Sequence, residues 1–268
     1  MDDQITDCIE AHKWCLSHLP SILRSKDIDI NRYVLAGDSA GGALATTCAH
    51  LFEPAPKAVI DIYGVIDMSD QWFWKVRQDR KNVNQPSYLK PRDEEEYRKA
   101  MEDRDPANAE IICPWDWELE PNMSVADLRS FWGMPDFVPS EKDFFRIDMY
   151  KYMGRNKSAF AMLFRREQFD SDEQCTAKVR SLSAYYMLDG KTHYPPTFFL
   201  HGTGDVSVPV EQSYRMAKRL RGMGVPVGEA YCEGGPHSFE QQIEGPEDEG
   251  WEAYIIPCMD FVDKHVKA

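Results

Sequence analysis

The chain has 268 residues, of which 43% are hydrophobic, 28% charged and 12% aromatic. That apolar and aromatic content excludes disorder as the general state, and the length suits one large domain or two small ones. A formal net charge of −14, from 31 Lys and Arg against 45 Asp and Glu, argues against nucleic acid or an anionic membrane surface as the main partner, because phosphate binding needs a positive face.

The chain opens on Met1-Asp2-Asp3-Gln4, acidic and polar where a secretory signal would be basic and then apolar. No apolar run approaches the roughly 20 residues that cross a bilayer, so no integral membrane span is expected. Ile9, Trp14, Cys15, Leu19, Ile22 and Leu23 recur at helical spacing and predict a helix over Asp7–Leu23. A strand follows at Tyr33–Ala36 and ends in Gly37-Asp38-Ser39-Ala40-Gly41-Gly42. Small residues lead into a helix over Ala43–Phe52, closed by Pro54 and Pro56, and Ala58–Tyr63 reads as the next strand. Strand, helix and strand with short connections predict the α/β class, with a mostly parallel sheet flanked by helices.

Residues 69–190 break this alternation. They are helix-like and hold five of the seven tryptophans, Trp72, Trp74, Trp115, Trp117 and Trp132. Their acidic run Asp93-Glu94-Glu95-Glu96 reads as a solvated helix face. An interruption of that length is expected to be a helical cap or lid, inserted into a core of residues 1–68 and 191–268. After Pro195-Pro196 the alternation resumes with a strand at Thr197–His201, a helix at Val210–Arg221, a strand at Val227–Cys232 and a last helix at Trp251–Val266. The seven cysteines are scattered, odd in number and contain no C-x-x-C pair, which reads as free thiols in a reducing cytoplasm. No Cys or His pair has zinc spacing, so no metal site is expected.

The sharpest chemical signal is Gly37-Asp38-Ser39-Ala40-Gly41, a G-x-S-x-G sequence between a strand and a helix. A serine on so tight a turn needs small neighbours on both sides, and the helix behind it offers the Ala40 N–H to a developing oxyanion. A serine hydroxyl is a weak nucleophile and needs a base that a carboxylate orients. In this architecture the acid and then the histidine follow, each just past a later strand. Asp205 follows the strand ending at His201, and His237 follows the strand ending at Cys232. Both loops lie at the carboxyl ends of their strands, where open α/β sheets build their sites. His12, His18, His50 and His265 fall in predicted helices and read as surface or core residues, and His193 as a loop residue. His201-Gly202-Thr203-Gly204 ends a late strand and takes no oxyanion role.

Gly-Asp-Ser-Ala-Gly-Gly at 37–42, His-Gly-Thr-Gly-Asp-x-x-Val at 201–208 and Gly-Gly-Pro-His-Ser-Phe at 234–239 resemble the hormone-sensitive-lipase-like group of α/β-hydrolases. The likeness spans residues 1–68 and 191–268. It implies an α/β-hydrolase sheet, a cap and cofactor-free hydrolysis of carboxylic esters, with a small-molecule ester as partner. Carried over by position, Ser39 is the nucleophile, His237 the general base and then acid, and Asp205 its orienting partner. Ala40 N–H supplies one oxyanion contact, and Gly37, Asp38, Gly41 and Gly42 shape the turn. Val208, Trp115, Trp117 and Trp132 are weaker substrate-binding candidates. In that group an H-G-G-G oxyanion loop and the first strands precede the helix read at Asp7–Leu23. The expectation is therefore a sheet without its amino-terminal part, impaired activity and an exposed edge through which two copies could pair. Two alternatives stand beside hydrolysis: an acyltransferase using the same acyl-enzyme, and a hydrolase-derived binding protein without catalysis. Prolyl-oligopeptidase-type peptidase activity is disfavoured, since no propeller precedes the domain.

Overall fold

The computed structural model of the chain describes residues 1–23, 29–76, 94–108 and 141–267. They fall into two compact units, Met1–Trp74 together with Leu163–Ala268, and Lys75–Met162. The helices in chain order are α1 (Asp2–Leu23), α2 (Ala40–Cys48), α3 (Gln71–Trp74), α4 (Glu94–Glu102) and α5 (Glu141–Asn156). There follow α6 (Ala159–Leu163), α7 (Asp172–Ser181), α8 (Ala184–Met187), α9 (Glu211–Gly222) and α10 (Ile256–Val266).

The first unit is built on β1 (Val34–Asp38), β2 (Ala58–Ile62), β3 (Thr197–Gly202) and β4 (Val227–Cys232). They lie side by side in that order, and each neighbouring pair is parallel. Parallel neighbours need crossovers, which α2 supplies between β1 and β2 and α9 between β3 and β4. β3 is buried at all six positions, which explains its unbroken apolar reading. Its side chains alternate between the two faces. Phe199 packs on one face with Val59 of β2 and with Met216, Ala217 and Leu220 of α9. Phe198 and Leu200 pack on the other, among Ala230 of β4 and Cys258 and Phe261 of α10. Each such side chain taken fully out of water contributes roughly 1.5–3 kcal/mol.

Residues 163–190, read from the sequence as part of the insertion, belong to this first unit. Ala184 and Leu188 join the Phe199 cluster. Met68 N–H donates to Ser183 Oγ at 3.1 Å, and His50 Nε2 donates to the Ala184 carbonyl at 3.2 Å. Ser171 caps α7 by accepting from Gln174 N–H, with Asp172 and Glu173 in the first turn and Lys178 and Arg180 in the last, as the helix dipole favours.

Several boundaries differ from the periodicity: β1 runs on to Asp38, and α2 spans Ala40–Cys48 where the sequence predicts a helix over Ala43–Phe52. The first helix begins at Asp2, because Asp2 and Asp3 suit a helical first turn. The last helix is preceded by a wider π turn at Trp251–Ile255 before α10 runs to Val266. Pro257 lacks the N–H that would bond the Ala253 carbonyl, and the helix widens where that bond is missing.

In the second unit, Glu94 and Glu96 of α4 are exposed, the solvated acidic face the sequence suggests. Tyr97 of the same helix is buried, with ring centroids 5.5 Å from Phe145 and 5.3 Å from Tyr152 of α5. Among the described residues no helix is long and apolar enough to cross a membrane, and no His, Cys, Asp and Glu group is arranged to hold a metal ion. Cys8, Cys15, Cys48, Cys175, Cys232 and Cys258 are free thiols.

Candidate active site

Ser39 sits between β1 and α2 with φ 51 and ψ −114. A positive φ costs a serine on the order of 1–3 kcal/mol, so its surroundings must hold it there. Ser39 N–H donates to the Ile62 carbonyl at 2.9 Å, and its own carbonyl accepts from Ala43 N–H at 3.2 Å. A Cβ on Gly37 would stand 2.2 Å from the Gly41 carbonyl oxygen, and one on Gly42 2.7 Å from both Asp61 Oδ1 and the Gly64 Cα. At Gly41 the nearest atom is Asp38 Oδ1 at 3.8 Å, an ordinary contact. The sequence places the demand for small residues at Gly37 and Gly41; the structure moves the second to Gly42. The reason is direction: Gly42 faces the Asp61 side chain and the backbone at Gly64 just past β2, whereas Gly41 meets only the Asp38 carboxylate at an ordinary distance. Asp38 and Ala40 are both exposed beside Ser39.

The loops after β3 and β4 are joined backbone to backbone. Thr203 N–H donates to the Cys232 carbonyl at 2.8 Å and Gly204 N–H to the Gly235 carbonyl at 3.0 Å. A Cβ on Gly202 would lie 2.1 Å from the Gly235 oxygen, so only glycine permits this approach. The result places Asp205 and His237 together. His237 Nδ1 lies 2.6 Å from Asp205 Oδ2, and His237 Nε2 lies 3.0 Å from Ser39 Oγ, across 198 residues of chain. Asp205 Oδ1 accepts from Ser207 N–H at 2.7 Å and Val208 N–H at 2.9 Å.

The Asp205 side chain is 0% exposed and that of His237 24%, so the acid is shut away while the imidazole can be reached. Burial pushes the Asp205 carboxyl up, but hydrogen bonds from His201, His237 and Val208 N–H outweigh it and hold the group well below the usual carboxylate range. An ionised Asp205 can only accept, so His237 carries its proton on Nδ1 and turns a bare Nε2 to the Ser39 hydroxyl. Such an arrangement can take a proton from Ser39 and return it.

Ser39, Asp205 and His237 are thus brought together, with Gly37, Asp38, Ala40, Gly41 and Gly42 forming the turn. Val208 is buried: its N–H holds Asp205, and its carbonyl accepts from His201 Nε2 at 3.0 Å. Trp115, Trp117 and Trp132 lie outside the described residues. Two side chains at the site escaped the sequence reading. His201 is fully buried beside Asp205, and the available signal was a histidine closing a buried strand four residues before the acid. Tyr63, with φ 42, lays its ring 4.4 Å from that of His237 and donates its hydroxyl to the Glu240 carboxylate. With Ser238 at φ 64, three non-glycine residues in the left-handed region gather here, and strain of this kind concentrates at working sites. The helical histidines pack, as expected: His12 stacks on Phe52 at 4.2 Å and His18 on Trp14 at 4.8 Å.

Directly beneath the turn, Asp61 of β2 is fully buried, and burial pushes its carboxyl from the ordinary 3.8 up to about 7, partly offset by His201. Below about pH 4 both folded and unfolded chains hold this proton, and it contributes nothing. Between about pH 4 and pH 7 only the folded chain holds it, so stability falls as pH rises; above that the loss is constant. Asp61→Asn removes the titration. The variant is expected to gain on the parent by a few kcal/mol, at about 1.4 per pH unit, between pH 4 and 7. Urea unfolding of both chains at four pH values measures this, and a pH-independent difference would refute it.

A family model described as alpha/beta hydrolase fold matches residues 1–159, and one described as the prolyl oligopeptidase family matches residues 145–254. The first contains Ser39 and the second Asp205 and His237. The non-reducing polyketide synthase Preu6 of Preussia isomera is 26% identical over 270 residues, 98% of this chain and 11% of that protein. The chain therefore spans about a tenth of the length of the curated relatives it matches. Among solved structures, the acetyl ester-xyloside bifunctional hydrolase of Caldicellulosiruptor lactoaceticus is similar, with TM-score 0.50 and 17% identity over 97% of this chain and 65% of that one. Esterase B of Lactobacillus rhamnosis (HN001) is similar with TM-score 0.50 and 15% identity over 98% of this chain and 61% of that one. These two likenesses concern the fold.

Proposed function

Because the chain belongs to the alpha/beta hydrolase fold family, we propose that it is a serine hydrolase that cleaves carboxylic esters through an acyl-enzyme on Ser39. The observation that carries this reading is His237, bonded at once to Ser39 Oγ at 3.0 Å and to Asp205 Oδ2 at 2.6 Å. Ser39 Oγ attacks the ester carbonyl carbon as its proton passes to His237 Nε2, and Asp205 stabilises the imidazolium. The oxyanion forms beside the Ala40 N–H, at the positive end of α2. Collapse breaks the ester C–O bond, and His237 returns the proton to the departing alcohol. Water then gives a proton to His237 and attacks the acyl carbonyl; a second collapse releases the carboxylic acid and restores the Ser39 hydroxyl. Small to medium acyl or aryl esters are the proposed substrates.

A second reading keeps the acyl-enzyme and passes the acyl group to an alcohol or amine. The match of 98% of the chain to a stretch of a non-reducing polyketide synthase is the observation in its favour. Product analysis with and without added alcohol separates transfer from hydrolysis.

The test is a fluorophosphonate probe, which phosphonylates only an activated serine. The folded chain is expected to be labelled on Ser39, located by peptide mass spectrometry, and Ser39→Ala to take no label. An unlabelled folded chain defeats the acyl-enzyme reading.

A further inference from the structure

We propose that His201 is a positioning residue for the Asp205–His237 pair, a second imidazole on the far side of the same carboxylate; this rests on the acyl-enzyme reading above. His201 is next to last in β3 and fully buried. Its Nε2 lies 3.0 Å from the Val208 carbonyl oxygen and 3.3 Å from Asp205 Oδ2, and its Nδ1 lies 2.8 Å from Ser213 Oγ on α9. A carbonyl and a carboxylate only accept, so Nε2 carries the proton; it donates to the Val208 carbonyl, with the Asp205 carboxylate 3.3 Å away beside it. Ser213, whose hydroxyl can give or take, is left to match Nδ1.

The consequence is a carboxylate with four donors. Asp205 Oδ1 takes two backbone N–H groups, and Oδ2 takes Nδ1–H of His237 with Nε2–H of His201 3.3 Å away. The acid cannot turn without breaking contacts on both oxygens, and His201 is itself pinned at both nitrogens. Orientation is one effect. Charge is the other, because His201 draws negative charge from the oxygen that faces His237. Without that donor, Oδ2 holds its charge for His237 alone, and the imidazolium of the base becomes easier to form. The base then titrates higher, and the acid limb of the pH–rate profile moves to higher pH.

Other groups facing the two imidazoles are accounted for. Tyr63, just past β2, lies 4.4 Å from the His237 ring and 6.2 Å from that of His201, and its hydroxyl is taken by Glu240. Asp61 on β2 is the other acid that His201 senses. Both variants remove the imidazole that lowers the Asp61 carboxyl, so a limb that moves in His201→Leu and returns in His201→Gln reports on the donor to Asp205 and not on Asp61. The plainer reading makes His201 a buried side chain that satisfies Val208 and Ser213, in which case loss of rate would come with no shift of the limb.

The experiment compares His201→Leu, which removes the donor, with His201→Gln, whose amide N–H can stand where Nε2–H stood. Hydrolysis of p-nitrophenyl butyrate is followed from pH 5 to 9, with active sites counted by fluorophosphonate. His201→Leu is expected to lower kcat by about 10–100-fold with little change in KM, the scale of a misplaced catalytic group. It should also move the acid limb of kcat/KM upward by roughly half a unit or more, and His201→Gln should recover most of the rate and return the limb. Equal loss in both variants with an unmoved limb overturns the proposal, as does no loss in either. Should the leucine variant not fold, Ser213→Ala, which frees Nδ1, is expected to move the limb in the same direction, and an unmoved limb there overturns the proposal. The His237 ring-proton titration read by NMR gives the same shift without turnover. A parent chain with no Ser39-dependent turnover would therefore defeat the acyl-enzyme reading while this titration still decides the role of His201.

Discussion

Ser39→Ala is expected to reduce turnover of p-nitrophenyl butyrate by about 10⁵-fold, with almost all of the loss in kcat. The hydroxyl is the atom that bonds to the acyl group, and nothing else described at the site can replace it: His237 Nε2, 3.0 Å away, is placed to receive a proton. Water polarised by His237 would leave a residual rate. Binding should change little, because the alanine methyl keeps the shape of the turn. The φ of 51 is retained as well, so the variant keeps the strain of the parent and should unfold at a similar denaturant concentration. Steady-state kinetics with burst analysis checks this. A variant within tenfold of the parent would mean that the ester is cleaved elsewhere.

Asp205→Asn is expected to cost about 10⁴-fold in kcat, although it changes one oxygen to nitrogen. Oδ1 of Asp205 faces the N–H groups of Ser207 and Val208, so an asparagine must place its own oxygen there. Its NH2 then faces His237 Nδ1 and His201 Nε2. His237 must meet that donor with a bare Nδ1, which moves its proton to Nε2 and presents Ser39 with a donor where an acceptor is needed. The opposite amide orientation sets two donors against the Ser207 and Val208 N–H groups and is worse. His201 meets the same NH2 with its own N–H, so the variant should also lose a few kcal/mol of stability, as for a buried donor without an acceptor. Fluorophosphonate labelling should slow in parallel with kcat. Retention of more than about a tenth of the parent rate would remove Asp205 from the proposed role.

Much of the site is legible along the chain. Ser39 stands between a short apolar run that reads as a strand and a run of small helix formers, and the two later loops carry their acid and histidine in the expected order. Glycines at 202, 204, 234 and 235 already suggest loops that approach closely: a Cβ on Gly202 would meet the Gly235 oxygen and one on Gly204 the Gly234 oxygen, while Gly234 takes a φ of 67. Other features had no local signal. The last helix reads as continuous from Trp251, and the π turn before Pro257 depends on one missing N–H. Asp61 stands out as a charge in an apolar strand, yet its partners come from other elements. Gly42, rather than Gly41, carries the steric demand, because the contact is with Gly64 beyond the next strand.

The sequence by itself determined the strand–helix alternation, the turn at Ser39 and the loops that present Asp205 and His237, since propensity, periodicity and glycine punctuation act over a few residues. Only the tertiary structure decided which atoms meet. The parallel register of β3 on β4, with His201 beside Tyr231 and Gly202 beside Cys232, brings the two loops together. The packing of α9 sets Ser213 against His201, and the end of β2 carries Tyr63 to the face of His237. Those contacts join residues far apart in the chain, and their geometry is set by strand pairing and core packing, which no local pattern encodes.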